Sequence, residues 1–462
     1  MNLMNEKSIG KVLQVTGSAN ISFVSTQYYA GKFVKLPMDH IAQGITLLGE
    51  VTSIDAVNPY FEKAATVRYV EEADESVTSQ TVFVSHFRPL AYLKGGTPYD
   101  SSFPPSPGSR VFLADDREIQ IALGLEDDGV SVGSLLGKEN LSVKLSINKL
   151  LRTHFSVLGR TGAGKSFFTK GLLNGITNQI KFILLSPTGE YNDVSDNLDG
   201  TLYKGSEITF PLELGYLSMI YGLTMREQII FEKFYKGLGE KDITLTSHQI
   251  LTRFRDWFMK QRSPSESTSL FPDESDSSHR RELPPYGDTI LSKIRQRDVT
   301  FAKPALKIPF EKSAILDMSD QSQETQELLI THVLSNLLQS YKKSPGKRTL
   351  IVIEEAHNFA PSIQTTACKD KIVQVAREGR KLGINLCLIS QRPRHIDQTV
   401  LSQAGTLFLF NMQHPDDVQH VLGISPTYNP DMPDTLRTLD VGQCFIIGEA
   451  TRRPIVCRVS FS

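Results

Sequence analysis

Phe155-Ser156-Val157-Leu158-Gly159-Arg160-Thr161-Gly162-Ala163-Gly164-Lys165-Ser166 is a short apolar run followed by a glycine-rich turn. Residues Gly159 to Ser166 match the phosphate-binding pattern Gly-x-x-x-x-Gly-Lys-Ser/Thr. Each residue type has a chemical reason. Gly159, Gly162 and Gly164, with Thr161 and Ala163 between them, let the backbone curl so that its N–H groups converge on phosphate oxygens. Lys165 is expected to reach the β- and γ-phosphates, and the Ser166 hydroxyl to sit on Mg2+. Phe167 follows at the start of a helix, whose N-terminal end adds positive potential. An accidental match in a glycine-rich loop is the alternative. The context argues against it, because a strand precedes the turn and Phe168, Leu172 and Ile176 space an apolar helical face after it.

Outward from this loop the pattern is that of a parallel sheet. Phe182 to Leu185 is a second buried strand, so strand, loop, helix and strand follow in order. Further apolar runs at Ala314 to Leu316, Thr349 to Ile353, Leu386 to Ile389 and Leu407 to Phe410 predict more strands, and Gln443 to Ile447 with Pro454 to Val459 a closing hairpin. The run Leu350 to Ile353 ends in Glu354-Glu355. Beside a phosphate loop these acids have distinct tasks: Glu354 would hold the Mg2+ shell through water, and Glu355 would orient and polarise the attacking water. Without the loop, two acids at a strand end are a solvated turn. Ser390-Gln391 stands at the tip of another strand, where a polar side chain would sense the γ-phosphate; an ordinary polar strand end is the alternative. Lys371 to Lys381 should be helical and carries Lys371, Arg377, Arg380 and Lys381. That run is either a solvated face or the source of an arginine finger for a neighbouring subunit.

The segment before the loop reads differently. Gly10 to Val15 and Lys32 to Leu36 alternate polar and apolar residues, and Thr46 to Ile54 and Thr81 to Phe87 are further short strands. Phe103-Pro104-Pro105-Ser106-Pro107-Gly108 is a rigid connector before a last strand at Arg110 to Leu113. Residues 1–115 are therefore expected to form a small β-barrel or sandwich. Residues 116–210 begin the phosphate-loop core. Residues 211–300 form a helical insertion, with Tyr216 to Leu238 and Ser247 to Met259 at helical spacing and a mobile loop at 263–284. Residues 301–462 complete the core.

Bulk properties exclude several classes. The chain has 462 residues, 40% hydrophobic and 22% charged, which suits a multi-domain globular protein. A formal net charge of −1 leaves no global basic surface, so nucleic acid would have to be met by local loops. Cys368, Cys387, Cys444 and Cys457 lack metal-ligand spacing and are expected as buried reduced thiols. The first residues show no apolar signal region, and no run approaches the length of a membrane span. A cytoplasmic protein with no membrane contact is the expectation.

The chain resembles the HerA family of HerA/FtsK-type hexameric translocases. The resemblance runs over nearly the whole chain and rests on five stretches: Ile147 to Leu158 leading into the loop, Ser186-Pro187-Thr188-Gly189-Glu190-Tyr191, Glu354-Glu355-Ala356-His357-Asn358, Ala376 to Gly383, and Ser390-Gln391-Arg392-Pro393. It implies an α/β fold with a RecA-like P-loop ATPase core and a parallel-dominated sheet, behind an N-terminal barrel. It further implies ATP as the nucleotide and a homo-hexamer with ATP sites between neighbours. By the same resemblance Glu355 is the catalytic acid, Gln391 the γ-phosphate sensor, Arg380 the arginine finger, Arg152 a second cationic contact and Arg377 a reserve. Double-stranded DNA would pass along pore loops. A separate nuclease or sirtuin-like effector, in DNA processing or antiviral defence, would dock on the N-terminal barrel. One departure stands out: Ser186 and Thr188 occupy positions where the family often has Asp and His, while Glu190 is kept.

Two other functions compete with a DNA translocase. One is an ATP-dependent assembly scaffold or regulator of an effector enzyme. The other is a small-molecule or nucleotide kinase, against which the length, the barrel and the family stretches argue.

Overall fold

The computed structural model describes residues 7–13, 21–57, 82–101, 103–193, 200–238, 243–262, 286–303, 305, 312–344, 346, 348–425 and 431–461. It divides into two compact units: Met1–Phe155, Gly159–Leu172 and Gly405–Ser462 in the first, Ser156–Leu158 and Leu173–Ala404 in the second.

The first unit holds the barrel. Its strands are β1 (Gly10–Val12), β2 (Ile21–Ser25), β3 (Phe33–Pro37), β4 (Ile45–Val57), β5 (Val82–Lys94), β6 (Thr97–Tyr99) and β7 (Arg110–Leu113). They follow the order β2-β1-β7-β3-β4-β5-β6, and β2 also pairs with β5, so six strands close a ring and β6 is appended to β5. Strands overlapping β1, β3, β4, β5 and β7 were expected from the sequence, β2 and β6 were not, and the alternation of buried residues explains the closure. In β2, Ile21, Phe23 and Ser25 point inward, and Phe23 joins Val34, Leu36, Leu47 and Val111 in one apolar core. The β5–β6 hairpin turns on Gly95 and Gly96, with φ of 57° and 80°; positive φ at both positions is the type I′ pattern, one of the two-residue turns that match the twist of the strands they join. Gln14, Val15 and Thr81 of the expected strands lie outside the described residues.

The same unit contains β8 (Val130–Leu135), β9 (Lys138–Leu145), β20 (Gln443–Gly448) and β21 (Ile455–Val459), together with nearly all of β19 (Ala404–Leu409). These pair antiparallel in the order β19-β20-β21-β8-β9. The expected closing hairpin is β20–β21. The barrel is tied to this hairpin's turn by Arg453, which donates to the Leu90 carbonyl at 2.7 Å and to Asp100 at 2.8 Å.

The second unit is built on the order β12-β16-β11-β17-β18-β10, where β10 is His154–Leu158 (Ser156–Leu158 in this unit), β11 Lys181–Ser186, β12 Gly200–Lys204, β16 Ser313–Asp317, β17 Thr349–Ile353 and β18 Ile384–Ser390. The pairs β12–β16, β16–β11, β11–β17 and β17–β18 are parallel. Every residue of β16, β17 and β18 is buried, which is why these strands read as unbroken apolar runs. Helices Gln323–Lys343 and Lys369–Leu382 belong to this unit. The second ends on Gly383 at φ 82°, the left-handed residue a helix C-terminus calls for.

The insertion departs from its expected form. Tyr216 to Leu238 is not one helix but two, Leu214–Ile220 and Met225–Tyr235. Gly222 at φ 60° breaks the first, and Thr224 starts the second through a reciprocal cap with Glu227. A small sheet of β13 (Phe210–Pro211), β14 (Ile243–Thr246) and β15 (Thr300–Lys303) accompanies the helices. Helix Ser247–Arg262 packs Phe254 and Trp257 against Phe234. The stretch 263–284, expected as a mobile loop, lies outside the described residues.

Candidate nucleotide site

The phosphate loop leaves the C-terminal end of β10, whose five residues are all buried. Sterics explain its glycines. A Cβ on Gly159 would lie 2.6 Å from the Cβ of Phe410, and Gly162 and Gly164 take φ of 74° and 108°. The loop is pinned on two sides. Arg160 N–H donates to the Asn411 carbonyl at 3.0 Å, and Gly442 N–H donates to the Ala163 carbonyl at 3.2 Å. Asn411 is itself fixed by donating to the carbonyls of Arg437 and Leu439. Lys165 Nζ donates to the Arg160 carbonyl at 2.9 Å, so the ammonium is folded over its own loop. Helix Lys165–Ile176 starts at once, with Phe168, Leu172 and Ile176 buried as their spacing predicted. Thus Gly159, Thr161, Gly162, Ala163, Gly164, Lys165, Ser166 and Phe167 form one continuous turn and helix start.

In the second unit, Glu354 caps the end of β17 and is only 4% exposed. Both its oxygens accept hydroxyl bonds, from Ser186 Oγ at 2.6 Å and Thr188 Oγ1 at 2.8 Å. Burial pushes its carboxyl up to about 7; the two hydroxyls work against the rise, and nearby Glu190 and Glu355 add to it. The residues that depart from the family pattern are therefore the donors that make a buried carboxylate tolerable. Each unit offers a hard oxygen donor of the kind Mg2+ takes, the Ser166 hydroxyl in the first and the Glu354 carboxylate in the second, where a dication would also offset the charge of Glu190 and Glu355 beside Glu354.

Glu355 adopts φ 48° and ψ 44° and is the one non-glycine residue with positive φ among the described residues. Such a conformation costs about 1–2 kcal/mol and has to be held by its surroundings. Here it turns the side chain toward the tip of β18. Gln391 Nε2 donates to Glu355 Oε1 at 3.0 Å. His357 Nδ1 lies 3.2 Å from Glu355 Oε2 and 3.0 Å from Ser390 Oγ. Glu354, Glu355 and Gln391, picked out in the sequence, thus converge with His357 and Ser390.

The three candidate arginines take no part in this cluster of side chains. Arg152 pairs loosely with Glu449 at 3.9 Å in the first unit. Arg377 and Arg380 stand exposed on helix Lys369–Leu382, and among the described residues no side-chain hydrogen bond or ion pair joins them to Glu354 or Glu355. Sequence reasoning missed Asp317, a further acid at a strand end, in β16. Burial alone would raise its carboxyl, but Ser319 and Asn192 hydrogen bonds and the charge of Lys204 hold it below the usual range. Its signal was the same as that of Glu354: an apolar run closed by an acid. Among the described residues no group of three or more His, Cys, Asp or Glu is arranged to hold a metal, and no helix is long and apolar enough to cross a membrane.

Residues 130–338 match the family model described as the central domain of helicase HerA. The chain is 26% identical to a DNA double-strand break repair helicase HerA of Pyrococcus furiosus, over 96% of this chain and 89% of that one. It is 27% identical to the HerA of Sulfolobus acidocaldarius, over 96% and 92%. Among solved structures, VirB4 of Thermoanaerobacter pseudethanolicus aligns with a TM-score of 0.48 at 14% identity, over 73% of this chain and 98% of that one.

Proposed function

We propose, from the premise that residues 130–338 are a HerA-type central domain in a chain similar to HerA helicases along nearly its whole length, that this protein hydrolyses ATP to drive movement on double-stranded DNA. The observation that carries the reading is the phosphate loop itself: a glycine-shaped turn at the end of a buried strand, opening a helix, with Lys165 folded over it. Backbone groups from Gly159 to Phe167 hold the phosphates, and Lys165 leaves the Arg160 carbonyl to meet them. Ser166 and Glu354 are the residues that would hold Mg2+, which when bound would neutralise phosphate charge. Glu355 takes up the proton of the attacking water, and Gln391 links that event to the γ-phosphate.

The arginines fit a ring. Arg380, with Arg152 as a second contact, is offered to the nucleotide of a neighbouring copy in a homo-hexamer, where it stabilises charge in the transition state. The exposure of Arg380 supports that role. DNA meets pore loops through phosphate contacts, which a near-neutral chain can supply locally. A partner nuclease or sirtuin-like effector docks on the N-terminal barrel, in DNA processing or antiviral defence. The test is the ATPase rate with and without duplex DNA at two salt concentrations. Stimulation that fades with salt is expected. A rate indifferent to DNA would instead mean that ATP serves assembly with a partner.

A further inference from the structure

Gly171 lies inside helix Lys165–Ile176, where a glycine costs about 1 kcal/mol relative to alanine. Its place has a steric cause. A Cβ at Gly171 would come within 2.1 Å of the ring of Phe461. That ring is seated on the helix start: it meets Phe167 edge-on at 5.8 Å and Phe168 at 6.2 Å between centroids. Phe168 is buried beneath, whereas Phe167 remains 58% exposed. The Phe461 segment is held over the loop by the chain before it. Val459 N–H donates to the Gly442 carbonyl at 2.8 Å, and Gly442 N–H donates in turn to Ala163 of the phosphate loop. Next to Gly442 stands Val441, 66% exposed. Three apolar side chains thus crowd the backbone that is shaped for phosphates, and all of them lie in the first unit.

The geometry points to Phe167 and Phe461 as the stacking surface for the nucleotide's base, with Val441 beside it. Phe167 directly follows Ser166 at the start of the helix that would face the phosphates, so its exposed ring is within the stretch a bound nucleotide would meet first. A purine base has a large π-face, and stacking on an aromatic ring is worth about ten-fold in affinity. Stacking does not read the edges of the base, so ATP and GTP should bind alike and a pyrimidine triphosphate more weakly. This inference rests on the phosphate loop binding a nucleoside triphosphate.

The test measures binding of ATP, GTP, CTP and inorganic tripolyphosphate to the full chain and to Phe461→Leu, Phe167→Leu and Gly171→Ala. The last variant keeps both rings and favours the helix but displaces Phe461. The expected result is that all three lose about ten-fold for ATP and GTP and leave tripolyphosphate unchanged. Phe461→Leu and Gly171→Ala proteins that bind ATP as the parent does would overturn the stacking surface while leaving the nucleotide site intact. A parent chain that binds neither ATP nor tripolyphosphate would overturn both readings.

Discussion

Gln391 Nε2 donates a 3.0 Å hydrogen bond to Glu355 Oε1, joining the tips of the neighbouring parallel strands β18 and β17. The bond and the His357 contact hold Glu355 in a backbone conformation it would not adopt alone. If Glu355 is the base, Glu355→Gln keeps the shape and removes the proton acceptor. Hydrolysis should fall at least 100-fold while ATP affinity stays within a few-fold. Single-turnover kinetics alongside equilibrium binding separates the two. Gln391→Ala should also slow turnover, and the double variant should be hardly worse than Glu355→Gln, because residues that act as a unit are not additive. Additive losses would assign Gln391 a separate task.

On the proposed reading, Lys165→Ala removes the cation that would face the phosphates. ATP affinity should drop about 100-fold, the scale of hydrogen bonds to a charged group. A titration with a fluorescent ATP analogue reads this directly, and unchanged affinity would remove Lys165 from the site.

Arg380→Ala should retain nucleotide binding and lose hydrolysis. Mixing Arg380→Ala subunits with Glu355→Gln subunits should restore part of the activity, because some interfaces then carry both intact groups. A mixture as inactive as its components would place the arginine's action within its own chain or outside catalysis.

Ser186→Ala takes a 2.6 Å donor from the buried Glu354 carboxyl. The unfolding free energy should fall by about 1–2 kcal/mol, the cost of leaving a buried acceptor short of a partner. Thr188→Ser, which keeps its hydroxyl, should stay within about 0.5 kcal/mol. Denaturant melts of both variants without nucleotide make the comparison.

His332 is buried between Phe210 and Tyr216, and burial lowers its pKa from 6.5 to about 4. Between those values the unfolded chain binds a proton that the folded chain refuses. The stability from this group is therefore whole above pH 6.5 and is lost as pH falls toward 4, by up to about 3 kcal/mol. Melts between pH 4 and 8 should be flatter for His332→Leu than for the parent, and equal slopes would count against the assignment.

Much of the fold was legible because burial leaves a signature in composition. Thr349 to Ile353 read as a strand, and as β17 all five residues are buried. Five barrel strands, β1, β3, β4, β5 and β7, were legible in part, β1 and β3 from alternation; β2 and β6 were not read. Strands β8 and β9 were not read, and a register irregularity between Ser131 and Gly133 interrupts their pairing. The break at Gly222 was written in Thr224-x-x-Glu227, but apolar spacing on both sides masked it. Lys165 was visible in its loop pattern, and Glu354, Glu355 and Gln391 as residue types at strand ends. The hydroxyl clamp of Ser186 and Thr188 was not, because the sequence showed only the carboxylate and imidazole that those positions lack. Nor was the His357 bridge, which depends on the left-handed turn at Glu355 that no local pattern announces.

Cys368, Cys387, Cys444 and Cys457 are all buried and unbridged, and Cys444 faces Cys457 across the β20–β21 pair. Burial pushes the Cys368 thiol up to about 12 and the Cys387 and Cys444 thiols well above the usual range. Thiolate is the species that alkylating reagents attack. A cysteine engineered at an exposed position such as Ile363 will take a maleimide dye ahead of these buried thiols. Fluorescence from such a label can follow the protein through its nucleotide cycle without a cysteine-free background having to be built first.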